Sequence, residues 1–145
     1  MQDEKSRIGS RAEVQTFLQD MFCALDNGAE ISFQKYRRTE SQRDEKYTNV
    51  YTISTLFPDE NPADILRSEL KKLKLENYIR TVKDLRFPRR GDMLEFGKVY
   101  DNEDVYIKVR LNLLEETRIV FVMSFHFAML PFSKDDFPYK ESEEQ

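Results

Sequence analysis

Four side chains of the kinds that handle phosphate and protons fall in two short runs of strand-forming residues. Tyr106, Lys108 and Arg110 alternate in Val105-Tyr-Ile-Lys-Val-Arg110, and His126, the only histidine, closes Val122-Met-Ser-Phe-His126. Alternate residues of a strand face the same side, so the first three share a face. An imidazole titrates near neutrality and suits acid or base work. Lysine and arginine stabilise charge on a phosphoryl group, and a tyrosine stacks on a base or donates a proton. Such a set suits attack of a ribose 2′-hydroxyl on the adjacent phosphate. That reaction needs one group to take a proton, one to protonate the leaving 5′ oxygen, and cations for the phosphorane. The same residues also read as plain structure. A histidine between Phe125 and Phe127 suits a packed, hydrogen-bonded position, and Tyr-Ile-Lys-Val-Arg is the pattern of any half-exposed strand.

Whether His126 joins the others depends on hairpin register. If paired residues sum to an even number, Tyr106, Lys108 and Arg110 share a face with Val120, Val122, Ser124 and His126; a one-residue slip moves the histidine to the opposite side. With the turn placed over Asn112 to Thr117, Tyr106 lies opposite Val122, and His126 falls about 13 Å further along at the usual strand rise.

The elements that must position these residues follow from periodicity. Residues Ala12 to Asn27 predict an amphipathic helix, with Val14, Phe17, Leu18, Met21, Phe22 and Leu25 at three- and four-residue spacing and Asn27-Gly28 as its stop. Ile31 and Phe33 suit a short strand, and Arg37 to Lys46 a charged loop. Tyr47 to Phe57 favours strand by composition, yet Val50, Ile53, Ser54 and Phe57 also fit one face of a helix. Asn61-Pro62 marks the start of a helix running to about Lys74, and a second short helix is expected over Glu76 to Lys83. After Gly91 the period changes to two: Leu94, Phe96 and Val99, then Val105 to Leu111, then Ile119 to Phe127, which is apolar on both faces as a central strand is. Helices first and hairpin-linked strands after predict an α+β domain, a twisted antiparallel sheet in the C-terminal half with the N-terminal helices packed on it. Residues 1–145 read as one domain: 1–10 flexible, 11–90 mainly helical, 91–139 the sheet, 140–145 an acidic tail.

Composition narrows the function classes. The 145 residues carry 4 Gly and 5 Pro, too few for a loop-dominated chain, and 11 Phe with 7 Tyr supply large core groups. No apolar run is long enough to span a bilayer and the polar N-terminus is not a secretory signal, so a cytoplasmic protein without a membrane partner is expected. One cysteine, one histidine and scattered carboxylates offer no metal-ligand spacing, and there is no glycine-rich phosphate loop, nucleophile elbow or dinucleotide fingerprint, so no metal and no cofactor are expected. The net charge of −4 opposes a nucleic-acid partner, but Arg67 to Arg90 holds nine cations against three anions. That local excess of +6 provides Arg80, Lys83, Arg89 and Arg90, which with Lys98 and Arg110 are candidates to bind a polyanion; a charged helix face of ordinary solvated surface reads the same way.

Several of these segments together resemble a known family. Tyr78 to Asp84, the basic loop, Phe96-Gly-Lys98, Val105-Tyr-Ile-Lys-Val109, Val122-Met-Ser-Phe-His126-Phe-Ala128 and Phe137-Pro-Tyr139 resemble the MqsR-like toxins of bacterial type II toxin–antitoxin systems. The likeness covers the second half and extends to Arg67–Asp84; the first sixty residues match in layout only. It implies a RelE-like fold, and it tips Tyr47 to Phe57 toward helix. It also implies a messenger-RNA endonuclease whose partners are RNA and a cognate antitoxin. The family's strand tyrosine and lysine fall on Tyr106 and Lys108, and its residue after Ser-Phe falls on His126, which places the chain with a histidine-bearing branch. Arg80 stands one place beyond the position that holds lysine in the best-known member. The reading drawn from this likeness makes His126, Lys108 and Tyr106 catalytic. The alternative is a non-catalytic protein-interaction module using the same basic surface and sheet.

Overall fold

The computed structural model describes residues 4–36, 44–114 and 116–140. Its strands are β1 (Glu4–Arg7), β2 (Glu30–Phe33), β3 (Tyr78–Asp84), β4 (Met93–Tyr100), β5 (Glu103–Asn112) and β6 (Ile119–Phe127). They form one sheet in the order β1-β3-β4-β5-β6-β2, antiparallel except for the β2–β6 pair. Three helices, α1 (Arg11–Asp26), α2 (Asn49–Leu56) and α3 (Pro62–Leu70), complete an α+β architecture. Residues 37–43 of the expected charged loop, and 141–145 of the acidic tail, lie outside the described residues. No helix among the described residues is long and apolar enough to cross a membrane.

Local chemistry accounts for the helix boundaries. Ser10 caps α1 by accepting from the Glu13 N–H at 3.1 Å, and Gly28, at φ +82°, releases the chain after Asn27. Asn61 caps α3 by accepting from the Ala63 and Asp64 N–H groups, with Pro62 at the first helical position. The helices bury Val14, Leu18, Met21, Ile53, Leu66 and Leu70 against one face of the sheet, where Phe96, Val105, Ile107, Val122 and Phe125 form the core. Each such side chain contributes roughly 1.5–3 kcal/mol by leaving water.

Two expectations change. Glu76 to Lys83, expected as a short helix, is instead the end of a 3₁₀ turn, Leu75–Asn77, running into strand β3 (Tyr78–Asp84). Ile79, Thr81 and Val82 are β-branched, and β1 and β4 supply ladders on both sides. Glu4–Arg7, placed in a flexible terminus, is paired to β3. Half of the sheet therefore comes from outside 91–139. Tyr47 to Phe57, read two ways, is helical: Glu45–Tyr47 is a 3₁₀ turn leading into α2.

The β5–β6 hairpin carries an irregularity that decides the site. From Val105↔Phe127 to Lys108↔Ser124 the partners sum to 232; from Val109↔Val122 onward they sum to 231, so Met123 is an extra residue in β6. On either side of this bulge, opposite parities of β6 face the core. Val120 and Val122 are buried in the core, whereas Ser124 and His126 face away from it with Tyr106 and Lys108. The hairpin turn also lies further along the chain than the sequence suggested. Tyr106 is therefore opposite His126 rather than Val122, and the expected separation of about 13 Å at strand rise does not exist.

Candidate functional site

On the face of the sheet turned away from the helical core, one ladder row runs Arg80–Glu95–Lys108–Ser124 across β3, β4, β5 and β6. The next row runs Gly97–Tyr106–His126. Arg80, Tyr106, Lys108, Ser124 and His126 line a single cleft of about 510 Å³, joined by Glu4 and Arg86 on one side and Met129 and Leu130 on the other. The Tyr106 and His126 rings lie 5.3 Å apart between centroids, tilted by 35°. His126, 5% exposed, has Nδ1 at 2.9 Å from the Phe127 carbonyl. A carbonyl only accepts, so Nδ1 carries the proton and Nε2 is the basic nitrogen of the neutral ring.

Glu95 organises this group. It is 2% exposed, and its Oε1 accepts from Arg80 Nε at 2.6 Å while its Oε2 accepts from the Tyr106 hydroxyl. The carboxylate raises the Arg80 guanidinium above its already high ordinary value. Burial, and then Glu95, push the Tyr106 hydroxyl well above the usual tyrosine value. Tyr106 thus keeps its proton, directs it at Glu95, and presents oxygen lone pairs elsewhere; it is not arranged to donate a proton to a substrate. Lys108 Nζ reaches Glu4 Oε1 of β1 at 3.3 Å. The two cations next to the Tyr106–His126 pair are therefore each held by a carboxylate, one buried and one half-exposed.

The backbone beneath His126 is secured by α2. β2 pairs with β6 only as far as Val122. Beyond that point Asn49 and Thr52 take over the free edge of β6. Asn49 accepts from the Phe125 N–H at 2.9 Å and donates to the Met123 carbonyl at 3.1 Å, and Thr52 Oγ1 accepts from the Phe127 N–H at 2.9 Å.

The remaining expected binding residues disperse. Arg110 lies on the same face two residues beyond Lys108, opposite Phe121, with its guanidinium 4.1 Å from that ring's centroid. Burial, then Arg90, lowers its affinity for a proton. Arg90 lies 3.9 Å over the Phe87 ring, and Arg89 is exposed in the same turn; neither lines the cleft. Lys83 alternates to the opposite side of β3 from Arg80 and stands apart from the group. Lys98 pairs with Val105, a core-face position, and so lies on the other side of the sheet from Tyr106, where burial lowers its pKa. The basic segment is likewise divided. Arg67 donates to the Leu25 and Ala29 carbonyls at the end of α1, and Lys71 and Lys72 pair with Asp26 and Glu69.

Comparison with protein-family models, with curated proteins and with solved structures finds no match to this chain. The reading of the site therefore rests on its own geometry. Among the described residues no group of three or more His, Cys, Asp or Glu side chains could hold a metal ion. Sequence reasoning missed Glu95, Glu4 and the Met129–Leu130 segment, and it placed Ser124 on this face without giving it a role. For Glu95 a signal existed: between Leu94 and Phe96 it must face away from the core, on the side where Lys108 lies.

Proposed function

We propose that this protein is a metal-independent endoribonuclease of RelE-like type, acting as the toxin of a bacterial toxin–antitoxin pair. The observation that carries the reading is the direct cross-strand pairing of Tyr106 with His126, one row from Lys108 and backed by Glu95. In the proposed reaction the ribose 2′-oxygen attacks the adjacent phosphorus. Its proton passes to the Tyr106 oxygen as the tyrosine proton passes to Glu95. His126, protonated at Nε2, gives that proton to the departing 5′ oxygen. Lys108 and the outer nitrogens of Arg80 stabilise the phosphorane. The products are a 2′,3′-cyclic phosphate and a 5′-hydroxyl. An incoming phosphate replaces the half-exposed Glu4 carboxylate at the largely buried Lys108 ammonium, so the lysine keeps an anionic partner throughout.

The test is cleavage of a labelled single-stranded RNA by the purified full chain in EDTA. Cutting with a cyclic-phosphate product is expected, and His126→Ala should lower the rate by about 10²–10⁴-fold. Full activity in that variant, or equal cutting of a 2′-O-methyl RNA, would overturn the reading. As a toxin the protein should arrest bacterial growth when expressed, and a small neighbouring gene product should relieve the arrest.

The interaction-module reading is supported by one observation: Arg80 and Lys108 already have carboxylate partners and need no substrate to satisfy them. It predicts no RNA cutting, no toxicity, and full function of the Lys108→Ala, His126→Ala double variant.

A further inference from the structure

The cleft has two unlike walls. One is polar, with Arg80, Lys108 and Arg86; the other is the segment that follows β6, where Met129 and Leu130 are 54% and 79% exposed. Isolated exposed apolar side chains are ordinary, but these two are adjacent and continue into Ala128 and Phe132 along the same cleft. Their segment is also fixed in place. Asp104 holds both its ends: the Asp104 carbonyl accepts from the Ala128 N–H at 2.8 Å, and its Oδ2 accepts from the Phe132 N–H at 2.9 Å. Phe132 lies over Gly97, where a Cβ would stand 2.6 Å from its ring, and packs edge-on against Phe137 at 5.5 Å. The chain thus anchors its polar ends firmly in order to hold two apolar side chains out beside the Tyr106–His126 pair.

We infer that Met129 and Leu130 form the stacking shelf for one unpaired nucleobase, next to the phosphate held by Lys108 and Arg80. This deepens the ribonuclease reading and rests on it. The order along the sheet is Lys108/Ser124, then Tyr106/His126, then Asp104/Ala128, each step about 6.6 Å. Phosphate, reacting atoms and base therefore fall in succession along the cleft. A ligand that satisfies both walls must carry an anion and a flat apolar surface a short distance apart, as a nucleotide does. The shelf needs the face of a base, not its edge. A base within a duplex has its faces covered by its neighbours, so the substrate is single-stranded at the cut.

The test couples shelf and base. Wild-type protein and the Met129→Ser, Leu130→Ser double variant are compared on a single-site oligoribonucleotide. The same oligonucleotide is then used with an abasic ribose at each nucleotide flanking the cut in turn. The binding of uncleavable 2′-O-methyl versions is followed by fluorescence anisotropy. Wild type should lose about tenfold in affinity and in kcat/KM when one of the two bases is removed. The double variant should show that loss on the intact oligonucleotide and no further loss on the abasic one. Leu114→Ser, at a fully exposed position that does not line the cleft, should behave as wild type. If the double variant still loses tenfold on base removal, or wild type binds abasic and intact strands equally, the shelf is overturned. If binding shows the coupling but no RNA is cut, the nuclease reading fails while the shelf stands.

Discussion

Asn49, the first residue of α2, donates its side-chain amide to the carbonyl of Met123, the residue whose insertion creates the bulge in β6. The same side chain donates to the Gln34 carbonyl at 2.7 Å and accepts from the Phe125 N–H, and it is fully buried. One amide therefore satisfies three backbone groups at the point where β2 stops and the ladder changes register. Truncation would leave those groups buried without partners. Asn49→Ala should destabilise the fold by about 2–4 kcal/mol, several times the effect of an average substitution. Urea unfolding measures it, and a change below 0.5 kcal/mol would mean that α2 does not secure the bulge.

Tyr106→Phe removes one of the two donors to the buried Glu95 carboxylate and leaves Arg80 alone with it. The expected cost is about 1–3 kcal/mol of stability. Cutting should fall by about 10² or more, because the proposed proton path passes through the hydroxyl. A variant with lowered melting temperature and undiminished rate would remove Tyr106 from the chemistry.

The raised Tyr106 pKa sets the sign of an alkaline effect. The hydroxyl ionises near pH 10 in the unfolded chain and only well above it in the fold, so the folded state binds more protons above pH 10. Stability contributed by this group is complete below about pH 10 and declines as the pH rises beyond it, by up to about 1.4 kcal/mol per pH unit. Urea denaturation between pH 9 and 11 should show a steeper loss in wild type than in Tyr106→Phe.

Glu4→Gln removes the negative charge of the half-exposed partner of Lys108. The glutamine carbonyl still accepts from the largely buried Lys108 ammonium, so stability should fall by no more than about 1 kcal/mol. Affinity for a 2′-O-methyl oligonucleotide should rise about two- to fivefold. Weaker binding in this variant would show that Glu4 contributes to RNA binding instead of occupying the phosphate position.

Gly97→Ala places a methyl group 2.6 Å from the Phe132 ring and 2.9 Å from the Phe137 ring. The rings must shift, at roughly 1–3 kcal/mol. The Met129–Leu130 segment loosens with them, so KM for RNA should rise while the far-ultraviolet circular dichroism of the sheet is unchanged.

Alternation along one strand is a local property, which is why the shared face of Tyr106, Lys108 and Arg110 was legible from spacing alone. The place of His126 was not legible, because it depends on a bulge at Met123 and on a helix far back in the chain. Val122 shows the difference: a rule of strict alternation puts it beside His126, and the inserted residue sends it into the core. Glu76 to Lys83 was misread because Tyr78, Ile79 and Val82 fit a helical spacing, and only the pairing of β3 with β1 and β4 settles a strand. Glu95 escaped notice because a lone glutamate in a strand reads as a solvated group until the arginine and tyrosine that enclose it are known.

The β2–β6 pair, parallel where every other pair is antiparallel, bears on the order of assembly. β3 to β6 follow one another as a meander, and the Asp101-Asn102 turn, with both residues at positive φ, closes β4 on β5 within a few residues. Arg80, Glu95, Tyr106, Lys108 and His126 all lie on this meander. Joining Glu30 to Ile119 closes a far longer loop and incurs a larger entropic cost. The residues of the cleft can thus be brought together by short-range contacts early in folding. The long-range clasp of β2 and α2 then closes over the edge of β6 and turns a transient arrangement into a persistent one. In kinetic terms, Asn49 should govern how slowly the finished cleft comes apart rather than how quickly it forms.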